Sequence, residues 1–333
     1  VSRVEEQTVL VTGGAGYIGS HAVWSLVDRG ARVAVIDDLS TGRRESLPDH
    51  VPLFQGCAGD KAFVLEVMQS QNVDCVMHFA GSIVVPESVE QPIRYFRNNT
   101  MNSLQLIDAC IEANVGAFIF SSTAAVYGEP QKVPISEDHP ANPLNPYGDS
   151  KLMTETCLRR VSLAHGLKYG ILRYFNVAGA DPQLRTGQAG PNATHLLKIA
   201  CQVASGVREK MSVYGTDYAT DDGTAIRDYI HVTDLISAHI AALDHPRGGG
   251  DSFTANCGYG HGYSVFEAIR AVEKVLGTSI AYDLGPRRAG DSPILVADSS
   301  HIRALLGWKP ALDDLELIVT HALAWERKLN RLD

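Results

Sequence analysis

Tyr147 and Lys151 stand four residues apart in Tyr147-Gly148-Asp149-Ser150-Lys151, a spacing that sets both side chains on one face of a helix. A free phenol, with a pKa of about 10, is a poor base at neutral pH. A neighbouring ammonium stabilises the phenolate, so the pair reads as a general acid–base couple. An ordinary surface pair shows the same spacing, and the context decides between them. Ser121-Ser122-Thr123 ends an apolar run upstream, where Thr123 can bond a reacting hydroxyl and relay its proton. A second constellation, Gly13-Gly14-Ala15-Gly16-Tyr17-Ile18-Gly19, repeats glycine at every third position directly after another apolar run. Such a pattern permits a tight turn, close approach of backbone to a pyrophosphate, and a helix N-terminus aimed at it. Asp37-Asp38-Leu39 follows about 20 residues later, where a carboxylate accepts from both adenosine ribose hydroxyls and repels a 2′-phosphate. The expectation is NAD rather than NADP. Arg43 and Arg44 are the residues that would suit the extra phosphate, and are otherwise solvated loop side chains.

Parallel strands with helices between them position such residues. Thr8–Val11, Arg32–Ile36, Asp74–Phe79 and Ala117–Phe120 are short, nearly all-apolar runs, as a sheet covered on both faces requires. Helical patterns near 17–29, 61–70 and 92–114 lie between them, and the Tyr/Lys helix runs to about 165. This alternation predicts an α/β fold: a doubly wound, Rossmann-like parallel sheet over 1–175. Lys168–Arg173 reads as one more strand. Beyond it, a Gly-, Pro- and Asn-rich loop (176–192) leads into mixed short elements. These predict a smaller mixed α/β substrate lobe over 176–333, with some chain crossover between the two.

The 333 residues carry a net charge of −9, with no basic footprint for a nucleic-acid backbone. No apolar run approaches the length of a membrane helix, and Val1–Glu6 offers no secretory signal. The six cysteines include no Cys-x-x-Cys pair, and they and the 12 histidines lack metal-ligand spacing, so no metal is expected. Scattered free thiols suit a reducing, cytoplasmic setting. His78, in His78-Phe79-Ala80-Gly81, is read through its backbone, since the small residues after it let a dinucleotide lie close.

Taken together, the segments Thr12–His21, His78–Gly81, Ser121–Gly128, Pro146–Lys151, Arg173–Asn176, Arg227–His231 and Arg287–Asp291 resemble the UDP-galactose (UDP-glucose) 4-epimerase family of extended short-chain dehydrogenase/reductases. The likeness spans essentially the whole chain, and the last three segments point to a nucleotide sugar. It implies a redox-neutral cycle in which sugar C4 is oxidised, the 4-keto sugar turns, and C4 is reduced from its other face. Tyr147 would take the O4 proton, Lys151 would tune it and hold the nicotinamide ribose, and Thr123 would assist. Asn98, Ser121 and Tyr174 would touch the cofactor along with Gly13, Gly16, Tyr17, Ile18, Gly19, Asp37, Asp38, Leu39, Phe79, Ala80, Gly81, Tyr147 and Lys151. Asn176, His195 and Leu196 would lie along a UDP-hexose, Tyr214 by the uracil, Arg227 and Arg288 on the diphosphate, and Asp291 on the uridine ribose. A homodimer pairing through the apolar stretches near 100–113 and 151–164 is also implied.

Three positions depart from the family pattern. Cys57 replaces an aspartate that reads adenine, with Asp60 a nearby substitute, and Ile83 replaces a lysine near the cofactor phosphates. Leu295 falls near the gate for N-acetylated sugars and is intermediate in size, which leaves UDP-N-acetylhexosamines open as substrates. A related dehydrogenase or reductase shares the cofactor and Tyr/Lys parts. A 4,6-dehydratase would carry Asp-Glu after Thr123, where this chain has Ala124-Ala125, and a non-catalytic NAD-binding sensor would lack the Tyr or Lys.

Overall fold

The computed structural model describes residues 7–190, 194–288 and 291–332. Val1–Glu6, the end of the 176–192 loop, and Ala289-Gly290 of the Arg287–Asp291 motif lie outside the described residues.

The first part of the chain runs β1 (Thr8–Thr12), α1 (Tyr17–Asp28), β2 (Arg32–Asp37), β3 (Leu53–Gln55), α2 (Lys61–Gln71), β4 (Val73–His78), α3 (Val85–Glu90) and α4 (Pro92–Tyr95). A π-helical turn, Phe96–Met101, passes directly into α5 (Asn102–Glu112), followed by β5 (Ala117–Ser121), α6 (Pro146–His165) and β6 (Lys168–Tyr174). The second part continues with β7 (Asn176–Ala178), α7 (Leu196–Ala204), β8 (Met211–Tyr214), β9 (Ile226–Arg227), β10 (Tyr229–His231), α8 (Val232–Arg247) and β11 (Phe253–Cys257). It closes with β12 (Tyr263–Ser264), α9 (Val265–Leu276), β13 (Tyr282–Gly285), β14 (Ile294–Leu295), α10 (Ser300–Leu306) and α11 (Leu315–Leu329).

Seven strands form one parallel sheet in the order β11-β6-β5-β4-β1-β2-β3. Successive residues of β1 explain why the strands read as continuous apolar runs. Val9 and Val11 pack into the core under α1 and α8, while Leu10 points into the opposite core beneath α2, α5 and α6. Neither face meets water, so no alternation survives. The strand order reverses between β1 and β4, which opens a crevice at their C-terminal ends. Strand β11 and helix α8 lie beyond residue 175 yet belong to this layer, so the sheet draws on both stretches of chain.

The remaining short strands form three small sheets: β7 with β10, β8 with β13, and β9 between β12 and β14. Helix α6, which carries Tyr147 and Lys151, begins sharply. Asn145 caps it by accepting from Gly148 N at 3.0 Å, Pro146 fills the first turn, and Gly166 ends it at φ +75°.

Candidate active site

The glycine turn between β1 and α1 is built for close approach. Gly13 adopts φ +70°, and a Cβ there would sit 2.5 Å from Ala80 N on the neighbouring β4 exit. A Cβ on Gly19 would meet the Gly13 carbonyl at 2.2 Å. The turn therefore presses against both the following helix and the adjacent strand end, leaving bare backbone on its open side. Gly16 is the N-cap of α1. Tyr17 and Ile18 open that helix; the Tyr17 hydroxyl donates to the Gly179 carbonyl at 2.7 Å, tying the turn to the second lobe. At the end of β2, buried Asp37 accepts from Ala15 N (2.9 Å) and Leu39 N (2.8 Å), with Leu39 itself at φ +59°. Burial raises the Asp37 carboxyl, and these two amides oppose that shift. Asp38 is exposed and accepts from Ser40. Arg44 is turned away onto the carbonyls of Pro48, Asp49 and Val51, and Arg43 pairs with Glu45.

On the other side of the crevice stand the predicted acid–base residues. The Tyr147 phenol is buried. Burial raises its pKa, and the Thr123 side chain opposes that rise. Lys151, also buried, donates to the Ser121 carbonyl at 2.9 Å and lies 4.9 Å from the Phe120 ring centroid. Its ammonium is aimed at the strand end rather than at the phenol. Burial brings its pKa down to about 8, with Glu155 opposing. A Cβ on Gly81 would come 3.6 Å from that ammonium, which sets Lys151 beside the β4 exit where Phe79, Ala80 and Gly81 leave the sheet. Ser121 Oγ and the Tyr174 hydroxyl share a bond of 2.6 Å on the same rim.

Several residues supporting this geometry were not singled out from sequence. Glu155, fully buried, accepts from Ser122 Oγ at 2.6 Å and from Arg173 Nε and Nη2 at 2.9 and 2.6 Å, fixing the floor under Thr123. Asn99 holds Ser82 at two points, N (2.7 Å) and O (2.9 Å), and donates to Ser150 on α6. Its neighbour Asn98 donates to Ser82 Oγ at 3.0 Å. Both asparagines lie on the π-helical turn, whose extra residue re-aims them, and no periodicity in the sequence marks it. His78 is buried and held neutral, between Thr12 Oγ1 (2.6 Å) and Ser103 Oγ (2.7 Å), with its pKa lowered to about 3 by burial and Lys151. Among the described residues there is no cluster suited to a metal.

In the second lobe, Asn176, His195 and Leu196 line one cavity, where Gln188 fixes the His195 ring through Nδ1 at 2.7 Å. Burial lowers the His195 pKa. Arg288 stacks 4.2 Å over the Tyr214 ring, and Arg227 bonds Asp291. Leu295 pairs with Arg227 in register and packs with Phe175 and Leu152 against Ala124 and Val126. It thereby joins the arginine cluster to the Thr123–Tyr147 region. At the departures, exposed Cys57 accepts from Gly59 N (3.3 Å) and Asn102 Nδ2 (3.5 Å). Asp60 serves as the N-cap of α2 through Phe63 N, and Ile83 is 52% exposed.

Residues 9–258 match the model of the NAD dependent epimerase/dehydratase family. A UDP-glucose 4-epimerase from Azospirillum brasilense is 58% identical over 323 residues, 97% of this chain and 93% of the relative. Among solved structures, a UDP-glucose 4-epimerase from Brucella ovis in complex with NAD superposes with a TM-score of 0.93 at 41% identity, covering 96% of this chain and 98% of that one. Another, from Bifidobacterium longum in complex with NAD+ and UDP, gives a TM-score of 0.92 at 39% identity, with 98% and 100% covered. The glycine turn at a strand-order reversal, the Tyr147/Lys151 helix and these likenesses agree: the chain belongs to the NAD dependent epimerase/dehydratase family.

Proposed function

We propose that the protein interconverts UDP-galactose and UDP-glucose by inverting sugar C4, with NAD as its cofactor. The observation that carries the reading is the burial of Tyr147 and Lys151 together on α6, with Lys151 bonded to the Ser121 carbonyl at the end of the strand that leads into Thr123, across the crevice from the Gly13 turn. The residues present fit the dinucleotide: side chains are excluded where backbone must approach pyrophosphate, and Asp37 and Asp38 stand where ribose hydroxyls need acceptors. Gly13, Gly16, Tyr17, Ile18 and Gly19 would hold the pyrophosphate, and Asp37, Asp38 and Leu39 the adenosine end. Phe79, Ala80, Gly81, Asn98, Ser121, Tyr147, Lys151 and Tyr174 would hold the nicotinamide half. When bound, NAD supplies a reversible hydride acceptor for C4.

Tyr147 Oη takes the proton from O4, with Thr123 Oγ1 holding both oxygens in line. Lys151 provides the positive charge that favours the phenolate. Arg227 and Arg288 bind the diphosphate, Tyr214 the uracil and Asp291 the uridine ribose, so nucleotide binding separates the Arg227–Asp291 pair. Asn176, His195 and Leu196 lie along the UDP-sugar. Fixing the nucleotide while leaving the hexose loosely held lets the keto sugar turn. Partly buried Leu295 leaves UDP-N-acetylhexosamines as a second substrate class.

No described helix is long and apolar enough to cross a membrane, and free cysteines support a cytoplasmic setting. Exposed Met101, Met153 and Leu163 on and beside α5 and α6 support a homodimer, which sedimentation tests directly. Incubation with UDP-galactose, without added cofactor, should give UDP-glucose, and UDP-N-acetylgalactosamine reports on Leu295. Tyr147→Phe should fold and bind NAD but lose at least ~10²-fold in rate. Near-wild-type turnover removes Tyr147 from its role.

A further inference from the structure

The segment Ser82–Glu87 leaves the crevice with little apolar anchorage. Ile83 is 52% exposed and Val85 38%, and only Ser88 of α3 is buried. Hydrogen bonds hold it instead: Asn98 bonds Ser82 Oγ and the exposed Arg94 pairs with Glu87, while Asn99 and Tyr95 supply the buried ones. Asn99 grips Ser82, as described above. The fully buried Tyr95 takes the next stretch: its hydroxyl accepts from Val84 N at 2.9 Å and faces acceptors at the Val84 carbonyl (2.7 Å) and Glu87 Oε2 (2.8 Å). A phenol has one proton, so it donates to one of these while the other acceptor stays close. Burial and Glu87 both push this phenol's pKa up, keeping it a donor across the working pH range. The Tyr95 ring stands edge-on to Tyr147, centroids 6.5 Å apart at 86°.

One buried side chain therefore touches both the segment beside the β4 exit and the proton-transfer tyrosine. We propose that Tyr95 is a positioning residue: its hydroxyl clasps the Ser82–Glu87 segment over the NAD crevice and sets how long the cofactor stays bound, while its ring edge steadies Tyr147. This rests on the NAD-dependent reading above. Asn98, assigned to the cofactor, bonds Ser82 Oγ, so loosening the segment loosens that contact too.

The test separates hydroxyl from ring. NAD-loaded protein is diluted into an NAD-degrading enzyme, and the cofactor remaining on the protein is followed over time. Tyr95→Phe should release NAD about tenfold faster, the effect of losing buried hydrogen bonds at one hydroxyl. Its kcat at saturating NAD should stay within about twofold of wild type, because the ring edge remains. Tyr95→Leu should release NAD as fast and also lower kcat. Wild-type release from Tyr95→Phe overturns the proposal, as does a fall in kcat matching the faster release, which is general loosening. Should Tyr95→Phe not fold, Glu87→Gln is read the same way, with faster release expected and unchanged release refuting. A wild-type chain that never takes up NAD overturns the functional reading itself, a result distinct from a variant that matches a wild type that does.

Discussion

Replacing Lys151 with methionine should make the protein more stable while removing its turnover. Lys151 is 4% exposed, and burial brings its pKa down to about 8 from an ordinary 10.5. The folded state thus binds this proton less tightly than the unfolded chain. Below pH 8 both states hold the proton and the folded state bears the full cost of a buried ammonium. Between 8 and 10.5 only the unfolded chain keeps it, so stability rises with pH and the cost disappears. The displacement corresponds to about 3 kcal/mol at neutral pH. Against this, methionine forfeits the bond to the Ser121 carbonyl (2.9 Å), worth about 1 kcal/mol. A net gain of about 2 kcal/mol remains, or a Tm rise of about 3 °C for a chain of this size. Urea unfolding of both proteins, stripped of NAD so that ligand binding adds nothing, reads this directly at pH 7 and pH 10. Burial of Tyr147 acts equally in both and cancels. A variant less stable than wild type at pH 7 refutes the reasoning, and so does a difference that fails to shrink toward pH 10.

Gly13→Ala should abolish NAD binding by equilibrium dialysis and cost at least about 1 kcal/mol of stability, since φ +70° is strained for alanine and its Cβ would meet Ala80 N at 2.5 Å. Arg173→Met leaves the buried Glu155 carboxylate with the partly exposed Arg159 and the Ser122 hydroxyl and should destabilise by about 3 kcal/mol in thermal unfolding. His21, His78, His231 and His239 are held to pKa values of about 4, 3, 3 and 4 by burial. The unfolded chain takes up their protons below about pH 6.5, so stability should fall from there toward pH 4, with net proton uptake on unfolding. Cys57→Asp supplies a stronger acceptor than a thiol and should slow NAD release if that position reads the adenine.

The strands legible in the sequence were those buried on both faces, where apolar runs had nothing to compete with. Leu53–Gln55 is partly exposed and only three residues long, too short to register against the surrounding loop. Phe253–Cys257 carries Thr254 and Asn256 between its apolar residues, and nothing local says that its partner is β6, some eighty residues back. The candidate site was legible where chemistry needs a residue type at a fixed spacing, as at Gly13–Gly19 and Tyr147–Lys151. Its support was not. Glu155 looks like any helical carboxylate until Arg173 and Ser122 close on it, and Asn99 is aimed by a π-turn that has no sequence period. The direction of Lys151 also came only from structure, because i,i+4 spacing fixes a face and not the target of an ammonium.

Strand β11 makes synthesis order matter. Until residue 257 has left the ribosome, β6 presents an open edge of hydrogen-bonding groups beside a nearly complete hydrophobic sheet. At usual elongation rates that interval lasts on the order of ten seconds, ample for strand-to-strand association between nascent chains. A fragment ending soon after Asn176 would keep the glycine turn and the Tyr147 helix, yet lack the strand and the α8 cover that close one face. It should aggregate or recruit chaperones rather than behave as a portable nucleotide-binding unit.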